Sequence, residues 1–310
     1  MNPNLAGALQ WCRDHYDYPW AAIALSFNNG IQVAPGKYLQ FDDRASRVTD
    51  SCLDLHQFIL LHAPVPDPLA AWAGCGSVIY WGFSTYGQNY ACARAVRFLY
   101  GGGAQNAGAP PAIVNATAAA VEQATRSCFN HDWGMVLDDI GQLRELGQLP
   151  FASKVVAFLS PKYAGVYDNR INNFLLRTGL DTPLLGCPAV PVNGRGIMQY
   201  ARTSSPRNQA VYQRWCKRLR QLRDALRGLG PNYAWRCTER RPQGWRAVDV
   251  ERALFRLSRL WVPKPSSPGQ KNKGQGRRQS GYVGSSARPG FDGGDVVDWL
   301  RKYCESHPIS

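Results

Sequence analysis

The sequence predicts a mainly α-helical domain. Apolar residues recur at three- and four-residue spacing through most of residues 1–262, and the connections between such stretches have ordinary length. The composition agrees: 310 residues that are 45% hydrophobic, with 10 Trp and 14 Tyr, can bury a substantial core.

Residues 3–26 begin with a helix (LAGALQWCRDHY) and then turn through Pro19. Residues 31–42 alternate weakly around Pro35-Gly36 and predict irregular chain or a short hairpin. Asp50 caps an apolar-periodic stretch to His62. Residues 78–103 read as an aromatic-rich turn running into a helix that three glycines end. Further helices are expected at Thr117 to Cys128, Asp132 to Leu146 and Phe151 to Leu159. Another runs from Asn169 to Arg177, with Gly179 as its stop. Pro206 to Leu229 is the longest candidate, and Ala247 to Leu260 follows with Asp249 and Glu251 in its first turn. Beyond Trp261 the chain turns rich in Pro, Gly, Ser, Lys and Arg, with no acid from 263 to 291. Such a segment predicts a flexible basic linker. Helical spacing returns at 295–306. The expected organisation is an α domain over 1–262, a linker over 263–293 and a C-terminal helix over 294–310.

Lys and Arg total 36 against 22 acids, a formal net charge of +14. This excess favours a polyanionic partner, because neutralising phosphates releases counterions. Attachment to a ribosome or a membrane surface fits the charge equally well. The N-terminal residues lack the basic and apolar regions of a signal peptide, and no apolar run approaches the roughly 20 residues of a membrane span. A cytoplasmic protein without a membrane or an obligate protein partner is expected. The nine cysteines include no CxxC pair and the five histidines no HExxH, so neither a catalytic metal nor a cofactor is expected.

The most informative stretch is LPFASKVVAFLSPKYAGVYDNRI, from Leu149 to Ile171. It reads as a tight hairpin opening a helix with Lys154 in the first turn. A Pro-containing loop follows, and then Asp168 stands where the next helix begins. Leu149, Pro150, Lys154 and Tyr167-Asp168-Asn169 resemble the helix-hairpin-helix DNA glycosylases, although Phe151 and Ser153 replace that family's hairpin glycines. The pattern is more similar to a divergent bacterial branch related to 8-oxoguanine DNA glycosylases. Some members of that branch are proposed anti-phage enzymes that remove modified bases from viral DNA. The specific match covers roughly 130–180, with looser similarity in YWGFSTYGQN and near WRAVDVERAL. The resemblance implies a helix-hairpin-helix fold and a double-stranded DNA substrate whose modified base, a modified cytosine for instance, is flipped out and released to leave an abasic site. Repair of oxidised guanine with lyase activity is the alternative, as is a DNA-binding protein of the same fold that lost its chemistry.

Breaking a C1′–N bond forms an oxocarbenium-like sugar, which a carboxylate stabilises while orienting water. Asp168 is the candidate for this catalytic role, and a merely capping Asp168 is the competing reading. Lys154 is the second candidate, either as an amine nucleophile or as a charged contact to phosphate or base. Ser153, Tyr167, Asn169 and Arg170 flank them as expected substrate contacts. A flipped base needs aromatic walls and amide groups. Trp81, Phe83, Tyr86, Gln88 and Asn89 supply both, unless the aromatics are simply core. Arg214, Lys217 and Arg218 on the long basic helix are the expected DNA contacts.

Overall fold

A computed structural model describes residues 3–14, 26–34, 37–40, 68–83, 86, 88–101, 109–228, 235–236, 242–260 and 293–309. The helix expected at 50–62, the turn through Pro19, the side chain of Gln88 and the linker up to residue 292 lie outside the described residues. The described part is mainly helical. Its helices are α1 (Pro3–Asp14), α2 (Pro68–Phe83), α3 (Gln88–Tyr100), α4 (Pro111–Phe129), α5 (Trp133–Gly141) and α6 (Leu149–Leu159). They continue with α7 (Asn169–Thr178), α8 (Asp181–Leu185), α9 (Pro206–Arg227), α10 (Ala247–Leu260) and α11 (Gly293–Ser306). Strands β1 (Ser26–Ala34) and β2 (Lys37–Gln40) pair antiparallel with two register shifts. A second two-stranded pair joins β3 (Trp235–Arg236) to β4 (Pro242–Gln243).

Local chemistry sets several boundaries. The Asp132 carboxylate accepts the Met135 N–H to cap α5. Gly179, at φ 64°, closes α7 in the left-handed conformation that glycine adopts without strain. Prolines open α4, α6 and α9, where a missing N–H costs no helical bond.

Four expectations need correction: α4 opens at Pro111 rather than Thr117, α5 ends at Gly141 rather than Leu146, and two motifs differ in kind. Residues 78–83 are not a turn but the end of α2. This helix is apolar on nearly every face, so it shows no amphipathic period to announce it. The LPFASK motif does not form a hairpin either. The turn lies at 142–148, α6 opens at Leu149, and Lys154 sits in the second turn of the helix.

Packing builds one large hydrophobic cluster and a small second one of Ala157, Val166 and Val248. Helix α6 is the axis of the large cluster, buried from Leu149 to Phe158 except for the half-exposed Phe151. It packs on α2 and α5, while α9 holds α5, α8 and α10 together. Helix α7 lies against α10, and α11 closes over α8 with Val296, Val297, Leu300 and Cys304 in the core. Burial pushes the thiols of Cys12, Cys75, Cys128 and Cys216 up to about 12. Among the described residues, no helix is long and apolar enough to cross a membrane.

Candidate active site

Lys154 projects from α6 into an otherwise apolar interior and is only 6% exposed. Its Nζ donates to the Pro150 carbonyl at 3.1 Å and lies 5.1 Å from the centre of the Phe151 ring. Its stem runs along α2 so closely that a methyl group on Gly82 would lie 3.0 Å from Lys154 Cδ. Desolvation lowers the pKa of the amine, and the carboxylates of Asp168 and Glu251 pull it part of the way back.

The loop from 160 to 168 carries Asp168, and side chains from three helices fix its backbone. Ser153 of α6 accepts the Tyr167 N–H at 3.1 Å. Tyr212 and Trp215 of α9 donate to the carbonyls of Gly165 and Val166 at 3.2 and 3.1 Å. The Glu251 side chain of α10 packs against the loop at Gly165. A side chain at position 165 would collide with Leu219 and Glu251, at 2.6 and 2.8 Å, so glycine permits this approach. Asp168 then caps α7, its Oδ1 accepting the N–H groups of Arg170 and Ile171 at 2.9 and 3.0 Å. The half-buried carboxylate is therefore held in one direction by structure that cannot easily shift.

Glu251, not anticipated as a site residue, completes the cluster. It is 3% exposed, and burial together with the nearby Asp168 charge raises its pKa well above the ordinary carboxylate range. Arg252 and Lys154 oppose that rise. Its signal was present in the sequence, because Glu251 shares the apolar face formed by Ala247, Val250 and Leu254. Asp249, two residues earlier, instead closes the helix start by accepting the Arg246 N–H at 2.9 Å and pairing with its guanidinium.

The other expected contacts divide by burial. Ser153 and Tyr167 are fully buried and spent internally. Ser153 serves the loop backbone, and the Tyr167 hydroxyl donates to Asn172 Oδ1 at 2.8 Å, so neither faces a substrate. Trp81 is core, edge-on to Phe158 at 5.3 Å. Phe83 carries the Phe151 ring stacked at 4.3 Å and the Arg94 guanidinium at 4.7 Å, so it offers no free face. The cluster reaches the surface through Tyr86, 69% exposed, and the exposed Tyr90, with Asn89 exposed beside them. Asn169 accepts the Met198 N–H at 2.9 Å, and Arg170 is exposed with its guanidinium 5.4 Å from the Phe255 ring centre.

The basic helix α9 is largely a set of internal tethers. Arg218 is fully buried and donates to the carbonyls of Leu184, Pro183 and His307, which corrects its assignment as a DNA contact. A guanidinium has five donors, and three backbone carbonyls satisfy the geometry that phosphate would otherwise use. Arg223 and Arg227 donate to the Lys162 and Trp245 carbonyls. Arg214 and Lys217 are half-buried.

No protein-family model matches the chain, and neither a curated protein nor a solved structure matches it. The geometry of the site stands on its own residues. Among those described, no group of three or more His, Cys, Asp or Glu gathers as a metal site would require.

Proposed function

We propose that this chain is a DNA glycosylase of the helix-hairpin-helix kind, which flips a modified base from duplex DNA and hydrolyses its N-glycosidic bond. The observation that carries the reading is the convergence of Lys154, Asp168 and Glu251 around a loop whose backbone is anchored from three helices. Helices α5 and α6, joined by the turn at 142–148 and followed by the Asp168-capped α7, support the fold assignment. The formal charge of +14 supports a nucleic-acid partner.

In this mechanism the base leaves the stack and lies beside the Tyr86 and Tyr90 rings. The Asp168 carboxylate stabilises positive charge growing on the sugar and orients the attacking water. The buried Glu251 and Lys154 couple electrostatically to that carboxylate, and burial favours the neutral form of each. The product is an abasic site. Modified cytosine, as in phage DNA, is the favoured substrate on the resemblance, which also supports a cytoplasmic defence role.

A second reading rests on one specific observation: burial lowers the Lys154 pKa, as an amine that attacks C1′ requires. Against it, Nζ is turned back onto the Pro150 carbonyl and the residue is buried. Incubating purified protein with genomic DNAs that carry different base modifications, and scoring alkali-labile sites, tests the main reading. Absence of abasic product from every DNA would overturn it. Borohydride trapping on the DNA that is cleaved separates the two mechanisms. We expect no covalent adduct, and a band that vanishes in Lys154→Ala would make the enzyme a lyase.

A further inference from the structure

The first turn of α6 has little to offer a phosphate. The Leu149 N–H is taken by the Ala201 carbonyl at 2.7 Å, Pro150 has none, and Phe151 and Ala152 donate to Gln148. The partner of that first turn is the loop at 191–205, and this loop has its own peculiar chemistry.

From 182 to 223 the sequence contains no Asp or Glu, yet it holds Arg195, Arg202, Arg207, Arg214, Lys217, Arg218, Arg220 and Arg223. The tethers of α9 account for Arg218 and Arg223, and Arg207 donates to the Ala189 carbonyl at 3.2 Å, whereas Arg195 and Arg202 are exposed. The loop is also braced on every side. Gln148 bridges Arg202, and the Thr203 N–H reaches the Gly147 carbonyl, which fastens one end to the start of α6. Asn169 and Asn173 of α7 hold Met198 and Gly196. Asn208 of α9 donates to the carbonyls of Tyr200 and Arg202, both at 2.8 Å. Asn193 closes the tip by accepting the N–H groups of Arg195 and Ile197.

Within this rigid frame Tyr200 sits at φ 52°, a conformation costly for a side chain of its size, with its ring 88% exposed. Packing inside the protein does not explain the strain, because the ring has almost no packing. Ile197, half exposed, stands nearby in sequence on the same loop. The loop thus presents an aromatic ring and exposed cations, on a braced backbone, beside the two helix starts that carry the site.

We propose that the loop at 193–207 is the surface that grips the DNA duplex, with Arg195 and Arg202 on phosphates and Tyr200 against a base face. The inference rests on the glycosylase reading for the identity of the polyanion. It replaces backbone amides of the α6 start with side chains as the source of phosphate binding. Charge complementarity favours a phosphate backbone, and a loop whose braced backbone sets where its cations start suits the regular phosphate spacing of a double helix.

Fluorescence anisotropy with a labelled duplex containing a tetrahydrofuran abasic analogue, repeated over a salt series, tests it. Arg195→Gln with Arg202→Gln should weaken binding by at least about 10-fold and reduce the slope of log K against log salt by about 2. Tyr200→Ala should weaken binding by about 10-fold with the salt slope retained, as loss of a stacked base predicts. Tyr200→Gly should lose the same affinity while melting no lower than the wild type, since glycine relieves the backbone, and this separates binding from folding. Loop variants that bind as the wild type does would overturn the assignment of the surface and leave the glycosylase reading standing. A wild type that fails to bind duplex would overturn both. Loss of binding in the loop variants, in a wild type that releases no base, would keep the surface and discard the enzyme.

Discussion

Asp168 both caps α7 and is placed for chemistry, and one substitution separates the two roles. Asparagine caps helices about as well as aspartate, so Asp168→Asn should change stability by well under 1 kcal/mol. It cannot neutralise an oxocarbenium ion, and it removes a charge that repels phosphate. Base release should therefore vanish while DNA affinity stays equal or tightens, and full abasic-site formation by the variant would sink the mechanism. Glu251 makes a prediction in pH. Its folded pKa lies above the ordinary value of 4.5, so below that value it is protonated in both states and its contribution to stability is complete. As pH rises past 4.5 the unfolded chain releases the proton first, and stability falls progressively toward the folded pKa. Glu251→Gln cannot titrate and should lack this decline. Urea midpoints measured across that pH range check it, and identical slopes for both proteins would refute the buried-carboxyl account. At this scale the sequence was only partly legible. A carboxylate followed by an apolar helix marks a cap, so Asp168 could be placed. The direction in which Ser153, Tyr167 and Trp81 point depends on Asn172, Phe158 and the loop backbone, which are contacts no local pattern encodes.

Helix α11 shows how an element becomes part of a core that its sequence position places at a distance. Its apolar side chains fill the face of α8, and Arg301 donates to the Thr178 carbonyl at the end of α7. Leu300 is fully buried, so Leu300→Ala should cost about 2–5 kcal/mol. Chemical denaturation reads that loss directly, and a change below 1 kcal/mol would mean that the helix is only loosely attached. Element boundaries were legible wherever capping chemistry marked them, as at Asp132, Gly179 and the α10 start. They were obscure in α2, which is buried on almost every side, and in α8, whose five residues show no period at all. The basic character of α9 was visible in sequence, but its purpose was not. A guanidinium donating to a carbonyl and one facing phosphate look the same in a list of residues.

For the whole molecule the question is where the net positive charge acts. Six cations lie between 263 and 291: Lys264, Lys271, Lys273, Arg277, Arg278 and Arg288. Replacing all six with glutamine should weaken duplex binding and flatten its salt dependence, while the excision rate at saturating protein stays unchanged. Anisotropy and single-turnover assays measure the two effects separately, and a slowed saturating rate would mean that this segment enters the site. A mainly helical domain of basic surface was foreseeable from period and composition, because both are sums over many residues. The convergence of α6, α7 and α10 was not, because it depends on packing between residues about a hundred positions apart. The bonds from Arg218 to the Leu184, Pro183 and His307 carbonyls carry one more implication. Through the His307 carbonyl they tie the segment after α11 to α8 and α9 without using the peptide connection between α10 and α11. If that connection were severed, α11 would still be held by the bond to His307, by Arg301 on the Thr178 carbonyl and by its buried apolar face, as a non-covalent part of one particle.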